Sequence, residues 1–338
     1  MLPLDITDEA QLEELLSRPG PGLRFDISRI GGDFIVLGAG GKIGPTLCRM
    51  LKRAGPERRV IAVSRFTNPS VAEKLLQWGI EVIRGDLLDR SFVDSLPSCP
   101  NVVFMAGQKF GTTGKEPETW AKNVYLPALA AEKFKRSRIV VFSTGNVYPL
   151  WPSDKIGPTE EDPTDPIGEY AQSCLGRERI FQYFSQRYGT PVLIFRLNYA
   201  CELRYGVLVD IARRVFLGQP VDITMGKVNI IWQGTAVEMA LRSFTLTSSP
   251  PTILNCAGPA FSVRSLARKF AELFGVEVSF IGTEATTSLL SDGRKALRLF
   301  GSGPVDIEVL CHWIARWIKQ GKTLWDKPTH FEVRDGKF

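Results

Sequence analysis

Histidine is almost missing from this chain. Only His312 and His330 occur in 338 residues, and neither has a ligand or triad partner at useful spacing. The sequence therefore argues against a metal site and against a His-based nucleophilic triad. The six cysteines (48, 99, 174, 201, 256 and 311) are scattered without close pairing. That argues against a disulfide framework and for reduced thiols in a cytosolic protein. No apolar run is long enough to span a bilayer, and the acidic, amphipathic N-terminal stretch lacks a basic flank followed by an apolar segment. Internal repeats and nucleic-acid-binding signatures are also missing. The expectation is a soluble, cytoplasmic protein that engages neither membrane nor nucleic acid.

The net charge of +6 is spread along the chain. Its densest basic run, Lys133-Phe-Lys-Arg-Ser-Arg138, falls where a helix ends before a strand. Cations there suit the helix dipole, so the run reads as a solvated helix end.

What is present is a glycine turn. The apolar run Phe34-Ile-Val-Leu37 ends in Gly38, Gly40 and Gly41, then Lys42, Ile43 and Gly44, and a helix-like segment follows. A strand, a tight turn and a helix N-terminus together present backbone N–H groups and a helix dipole to a phosphate. The G-x-G-x-x-G spacing fails, because its last glycine would fall on Ile43. The spacing Gly38-x-x-Gly41-x-x-Gly44 holds, with Gly40 as an extra. A tight turn with no ligand is the bland alternative.

Around this turn strands and helices alternate. The patterns predict strands at 33–38, 59–64, 80–84, 101–106, 138–144 and 191–197, and helices at about 43–54, 69–78, 117–135 and 168–188. A capped helix precedes them from Asp8 to Leu16, and a Pro-Gly break at 19–22 separates the two regions. Alternation of this kind predicts an α/β fold, a Rossmann-type doubly wound parallel sheet with helices on both faces. Residues 149–167, with five prolines and several acids, read as a long loop at the sheet's edge that shapes a substrate pocket or is simply a rigid excursion. Beyond Asn198 the pattern loosens, with one clear late helix at 305–318. The expected organisation is a dinucleotide-binding domain over 1–198 and a smaller α+β substrate domain over 199–338, with 227–256 returning to the first.

Ligands of doubly wound sheets bind beyond the carboxyl ends of the strands. After the second strand come Ser64 and Arg65, where a carboxylate would grip the ribose 2′-OH of NAD. Serine and arginine instead suit a 2′-phosphate, so NADP is preferred over NAD. After the third come Asp86 and Leu87. After the fourth come the small residues of Met105-Ala106-Gly107-Gln-Lys109, and after the fifth Ser143-Thr144-Gly-Asn146-Val-Tyr148.

In this order the motifs resemble those of the extended short-chain dehydrogenase/reductases, the NAD-dependent epimerase/dehydratase group, from about residue 33 to 320. Gly38, Gly41 and Gly44 match its glycine motif, Asp86-Leu87 its adenine-contacting acid, and Asn123 the helix asparagine after the fourth strand. Thr144 matches the catalytic Ser/Thr, and Pro166 to Tyr170 the approach to the catalytic tyrosine. Arg196-x-Asn198 matches the segment whose asparagine meets substrate, and Asn255-Cys-Ala-Gly-Pro with Ser262-Val-Arg the opening of the C-terminal domain. The resemblance implies hydride exchange between a nicotinamide and a hydroxyl or carbonyl carbon of a small polar substrate. Tyr170 would carry the proton and Thr144 would orient the oxygen. Asn146, Asn198 and Lys227 would meet the substrate. It also implies a homodimer formed through the helices near 117–135 and 168–188.

Two positions depart from the pattern. Cys174 stands where the family has a lysine four residues after the tyrosine. A tyrosine near pKa ~10 is a poor base at neutral pH, and losing a nearby cation forfeits a lowering of about 1–3 units. Lys109, just past the fourth strand, is the expected substitute. Otherwise Tyr170 acts as a neutral donor, or the protein is a lapsed dinucleotide-binding sensor or scaffold. The second departure lies in Lys227-Val-Asn-Ile-Ile-Trp-Gln233-Gly234, where lysine replaces the usual arginine and Gln-Gly the usual acidic pair. A sugar, polyol or other carbonyl compound then competes with a nucleotide sugar as substrate.

Overall fold

The computed structural model describes residues 3–109, 111–301 and 305–337. It opens with α1 (Glu9–Leu16), capped by Asp8, whose carboxylate accepts the Gln11 amide at 2.8 Å. Then comes α2 (Pro21–Arg29). The Pro-Gly pair expected as a break instead starts this helix, because proline's missing N–H costs nothing in the first turn.

Seven strands form one sheet: β1 (Phe34–Leu37), β2 (Val60–Ser64), β3 (Glu81–Arg84), β4 (Asn101–Phe104), β5 (Arg138–Thr144), β6 (Val192–Leu197) and β7 (Thr252–Cys256). All pairings in it are parallel, in the spatial order β7-β6-β5-β4-β1-β2-β3. The Rossmann-type sheet expected from alternation is present. All four residues of both β1 and β4 are buried, as a sheet covered on both faces requires. The crossovers are α3 (Gly44–Ala54), α4 (Pro69–Gln77), α5 (Arg90–Ser95), α6 (Glu116–Trp120) continuing into α7 (Leu126–Lys133), and α8 (Gly168–Tyr188). The chain winds β1-β2-β3 outward, then returns to place β4 on the other side of β1. The crevice between β1 and β4 is where such sheets bind ligands.

Between α6 and α7 the helix widens into a π turn, Ala121–Tyr125. Pro127 cannot donate to the carbonyl four residues back, and the wider turn absorbs that loss. Asn123 sits in the widened turn, fully buried.

Past β6 lie α9 (Val207–Phe216), α10 (Gln233–Arg242), α11 (Val263–Phe274), α12 (Arg294–Phe300) and α13 (Ile307–Lys319). Only the last was expected. Helices α9, α11 and α13 pack with α1 around a second hydrophobic core centred on Trp313, Trp317 and Phe270. By contrast α10, α12 and β7 complete the core on one face of the sheet. No helix among the described residues is long and apolar enough to cross a membrane.

Candidate active site

The glycine turn follows β1 directly. Gly38 has φ +93°, and a β-carbon there would lie 2.6 Å from the Ala106 nitrogen. Only glycine lets the turn press against the loop after β4. At Gly44 a β-carbon would meet the Ala39 carbonyl oxygen at 2.2 Å, so this glycine sets how closely α3 approaches the turn. No side chain caps α3 and its first turn holds no acid. Its first backbone N–H groups therefore remain available to an anion.

The turn opens into a cavity of about 910 Å³. Of the expected site residues, Gly38, Gly40, Gly41, Lys42, Ile43, Met105, Gly107, Lys109, Thr144, Asn146, Tyr170 and Asn198 line it. Gly44, Ser64, Arg65, Asp86, Leu87, Ala106, Asn123 and Lys227 do not. Leu87, Ala106 and Asn123 are buried behind the wall, whereas Arg65 and Asp86 are exposed beside it. Lys227 lies on the short strand Lys227–Asn229, where its amide donates to Ser288 Oγ. The segment 149–167 is also absent from the wall. Its Trp151–Pro152 pairs with Thr287–Ser288, and Asn255 Nδ2 donates to the Pro158 carbonyl at 3.1 Å. It is a pinned structural excursion rather than a pocket-forming loop.

Thr144 ends β5 and Tyr170 lies in the first turn of α8; each is 8% exposed. The side chains of Thr144 and Cys174 both act on the Tyr170 phenol, Thr144 favouring its ionised form and Cys174 opposing it. Thr144 Oγ1 donates to Asn146 Oδ1 at 2.8 Å and accepts the Asn146 amide at 3.2 Å. Burial is the main cause that pushes the Tyr170 phenol well above its usual pKa, with Cys174 adding to it. Burial also raises the Cys174 thiol. Both groups are therefore neutral at physiological pH.

The cation nearest in effect to Tyr170 is Arg177, which opposes the rise. It lies seven residues along α8, two turns on the same face. Arg177 Nη1 donates to the Phe142 carbonyl at 2.9 Å and Nη2 to Asn123 Oδ1 at 2.7 Å. Asn123 in turn accepts the Gln108 amide and donates to the Gln108 carbonyl and Ser173 Oγ, all at 2.9 Å. One buried amide thus ties the loop after β4 to α8, beneath Tyr170. Lys109, the expected substitute cation, acts on Cys174 instead. It is half-buried, with Nζ 5.8 Å from the centre of the Tyr199 ring. Burial lowers its pKa to about 8.

Behind the site is a buried ion pair. Arg196 Nε and Nη2 donate to both oxygens of Glu178 at 2.9 and 2.7 Å, and Ser143 Oγ donates to the same carboxylate at 2.6 Å. Arg196 is thus committed to structure.

The outer wall was not legible in the sequence. It comprises Glu9 and Glu13 of α1, Arg204, Tyr205, Trp325, Lys327 and Thr329. The C-terminal segment reaches it because the Trp325 amide donates to the Arg204 carbonyl at 3.0 Å and Thr329 Oγ1 to Asp210 Oδ2 at 2.5 Å. Further on, Gly336 abuts Gly168, two residues before Tyr170. Phe66 (φ +46°) and Tyr199 (φ +48°), two aromatic residues in the left-handed region, also line the cavity. Strain of this kind concentrates at ligand sites.

Solved structures share this architecture. MoeE5 in complex with UDP-glucose and NAD is 23% identical with a TM-score of 0.70, over 86% of this chain and 99% of that one. Pal from Bacillus thuringiensis is 19% identical with a TM-score of 0.71, over 86% and 100%. UDP-glucuronic acid 4-epimerase from Bacillus cereus, in complex with UDP-glucuronic acid and NAD, is 16% identical with a TM-score of 0.71, over 85% and 99%. At these identities the likeness is one of fold. No curated protein matches the chain. The sequence pattern of the NAD dependent epimerase/dehydratase family matches residues 34–202, which run from the first residue of β1 past the end of β6 and take in the glycine turn, Thr144 and Tyr170. On that match, the chain belongs to the NAD-dependent epimerase/dehydratase family.

Proposed function

We propose that the protein binds a nicotinamide dinucleotide and acts on a hydroxyl or carbonyl carbon of a sugar, polyol or related small polar substrate, as an oxidoreductase, epimerase or dehydratase. The observation that carries this reading is that Tyr170 and Thr144 both line the cavity into which the glycine turn opens. The turn suits a dinucleotide: Gly38 leaves no room for a side chain, and the uncapped start of α3 offers N–H groups to phosphates. Two structures of the same fold, MoeE5 and the Bacillus cereus enzyme, were solved with NAD. When bound, the nicotinamide supplies the hydride donor or acceptor.

The chain's own residues supply the rest. Thr144, held by Asn146, orients the substrate oxygen. Tyr170, neutral at physiological pH, donates its proton to that oxygen as a carbonyl is reduced, and Arg177 stabilises the charge left on the phenol. Asn123 is a positioning residue that fixes Gln108 and Arg177. A cation within reach of Tyr170 favours this enzyme over a lapsed sensor.

Ser64 stands in place of a ribose-binding carboxylate and Arg65 is exposed beside it, which supports NADP over NAD. Titration with NADPH and NADH, followed by fluorescence, tests this. NADPH is expected to bind roughly 10-fold tighter, and Arg65→Ala to remove the difference, as one charge-assisted contact is worth about 1.5–3 kcal/mol. If neither nucleotide binds to folded protein free of copurified cofactor, the reading fails.

All six cysteines are buried and reduced, which supports a cytoplasmic location. Tyr125 (50% exposed) and Tyr183 (53%) lie on the two helices expected to form a dimer. Light scattering is expected to give twice the chain mass of 37.6 kDa. A monomer at micromolar concentration would remove the dimer from the proposal.

A further inference from the structure

Past α13 the chain crosses the outer wall of the cavity without helix or strand. Residues 322–330 form no regular structure, yet Trp325, Lys327 and Thr329 line the cavity together with Tyr170 and Thr144. Both ends of this stretch are fixed. Trp317 Nε1 donates to the Thr323 carbonyl at 3.0 Å, which ties the start to α13. Phe331 is buried in the second core, and beyond it Arg334 donates to the Thr287 carbonyl and hydroxyl at 2.7 and 2.6 Å. Residues 324–330 lie between these anchors.

Trp325, Asp326 and Thr329 are all held from one side, by α9 and the loop before it. The Trp325 amide donates to the Arg204 carbonyl at 3.0 Å, and its ring stacks on that of Tyr205 with centroids 6.3 Å apart. Asp326 pairs with Arg213 at 2.6 Å, but both are exposed, so the pair contributes little. The firmest hold is Asp210, whose carboxylate accepts the Thr329 amide at 2.7 Å and the Thr329 hydroxyl at 2.5 Å. Hydrogen bonds to an ionised acceptor are roughly twice as strong as neutral ones. Two residues of the stretch also take left-handed backbone, Asp326 at φ +32° and His330 at φ +54°, and they bracket Lys327 and Thr329. Such conformations persist only where surrounding contacts impose them. A stretch strained at two points and gripped by one helix can release as a unit while its anchors stay in place.

We propose that residues 324–330 are a lid on the cavity, latched to α9 by the Asp210–Thr329 bonds, which opens as a unit from the folded protein and is held shut by the bound ligand. Only the last part rests on the reading that the cavity takes a nicotinamide dinucleotide. A ligand that touches Trp325, Lys327 or Thr329 binds the shut form better and shifts the lid toward it by that difference. The open form gives the ligand its way in and out, so the latch sets how long the ligand stays.

Hydrogen exchange resolved to single amides tests the lid. The Trp325 and Thr329 amides are expected to exchange together, at least about 100-fold faster than those of Ile35 and Val36 on β1, which has strands on both sides. Asp210→Asn, whose neutral oxygen accepts more weakly, is expected to speed both by about 10-fold and leave Ile35 and Val36 unchanged. The response of Trp325 is decisive, because its amide bonds Arg204 and not Asp210. Thr329→Val removes only the hydroxyl bond and is expected to speed the same two amides by a smaller common factor. Saturating NADPH is expected to slow both by about 10-fold. The proposal is overturned if the two amides exchange only at the rate of β1, or if the variants speed Thr329 and leave Trp325 alone. It is overturned as well if NADPH binds without slowing either amide. If neither NADPH nor NADH binds while Asp210→Asn still speeds both amides, the lid stands and the dinucleotide reading falls.

Discussion

Replacing Tyr170 with phenylalanine lowers turnover by about 10²–10⁴-fold while leaving NADPH affinity within roughly 2-fold, since the hydroxyl is asked to supply a proton in the transition state and not to bind cofactor. The direction of the phenol's shift gives this prediction a pH signature. Folding raises the Tyr170 pKa well above 10, so between pH ~10 and the folded value the native state binds the proton that the unfolded state has lost. The stability contributed by the neutral phenol is complete below pH ~10 and declines as pH rises through the folded pKa. Carbonyl reduction, which uses the protonated form, should therefore show no loss attributable to Tyr170 up to pH ~9. Alcohol oxidation, which needs the phenolate, should keep rising. A spectrophotometric titration of wild type against Tyr170→Phe checks the ionisation without any substrate. A difference signal titrating near neutrality would show that this tyrosine is an activated base and remove the neutral-donor mechanism.

Arg196→Met is expected to destabilise the fold by about 3–5 kcal/mol, measured as ΔG of unfolding in urea. Glu178 is fully buried, and both its oxygens are held by Arg196. Without the guanidinium the carboxylate is an uncompensated charge in a low-dielectric interior. The loss spreads further, because Arg196 Nη1 also donates to the Tyr148 hydroxyl at 2.6 Å, itself 2.9 Å from Asn255 Oδ1. The double replacement Arg196→Met, Glu178→Leu should recover most of the loss, since an apolar pair of similar volume leaves nothing to solvate. A single-variant loss below ~1 kcal/mol would mean that water or a neighbour already relieves the charge. Ser143 links this pair to the site: it donates to Glu178 and precedes Thr144.

The sheet was legible because its signals are local. Apolar runs such as Phe34–Leu37 and Val192–Leu197, each closed by turn residues, mark strands whatever packs on them. The missed helices failed for a different reason. Helix α2 begins with proline and glycine, which read as a break until Pro21 is recognised as the first residue of a turn. In the site, the position that departs from the family pattern is the fourth residue after Tyr170, where Cys174 stands in place of lysine. Arg177 lay one turn further on the same helical face, a spacing the sequence does display. Lys109 was legible as a cavity residue but not as a neighbour of Cys174 rather than Tyr170, because that depends on how the loop after β4 is tied down by Asn123. The outer wall had no local signature at all. Glu9, Arg204 and Trp325 meet only through long-range packing, as Arg204 bonds the Glu9 carboxylate and lies 4.6 Å from the centre of the Trp325 ring.

That wall orders events during synthesis. The sheet is complete once Cys256 has emerged from the ribosome, and the glycine turn, Thr144 and Tyr170 are all upstream of it. Trp325, Lys327 and Thr329, which enclose the cavity, are translated later, after the whole of α13. Gly336, which packs against Gly168 at the start of the tyrosine's helix, comes later still. A nascent chain paused between these points already has the nucleotide-binding half of its architecture but an open trough in place of a chamber. In biogenesis the sheet is finished before the cavity beside it is enclosed.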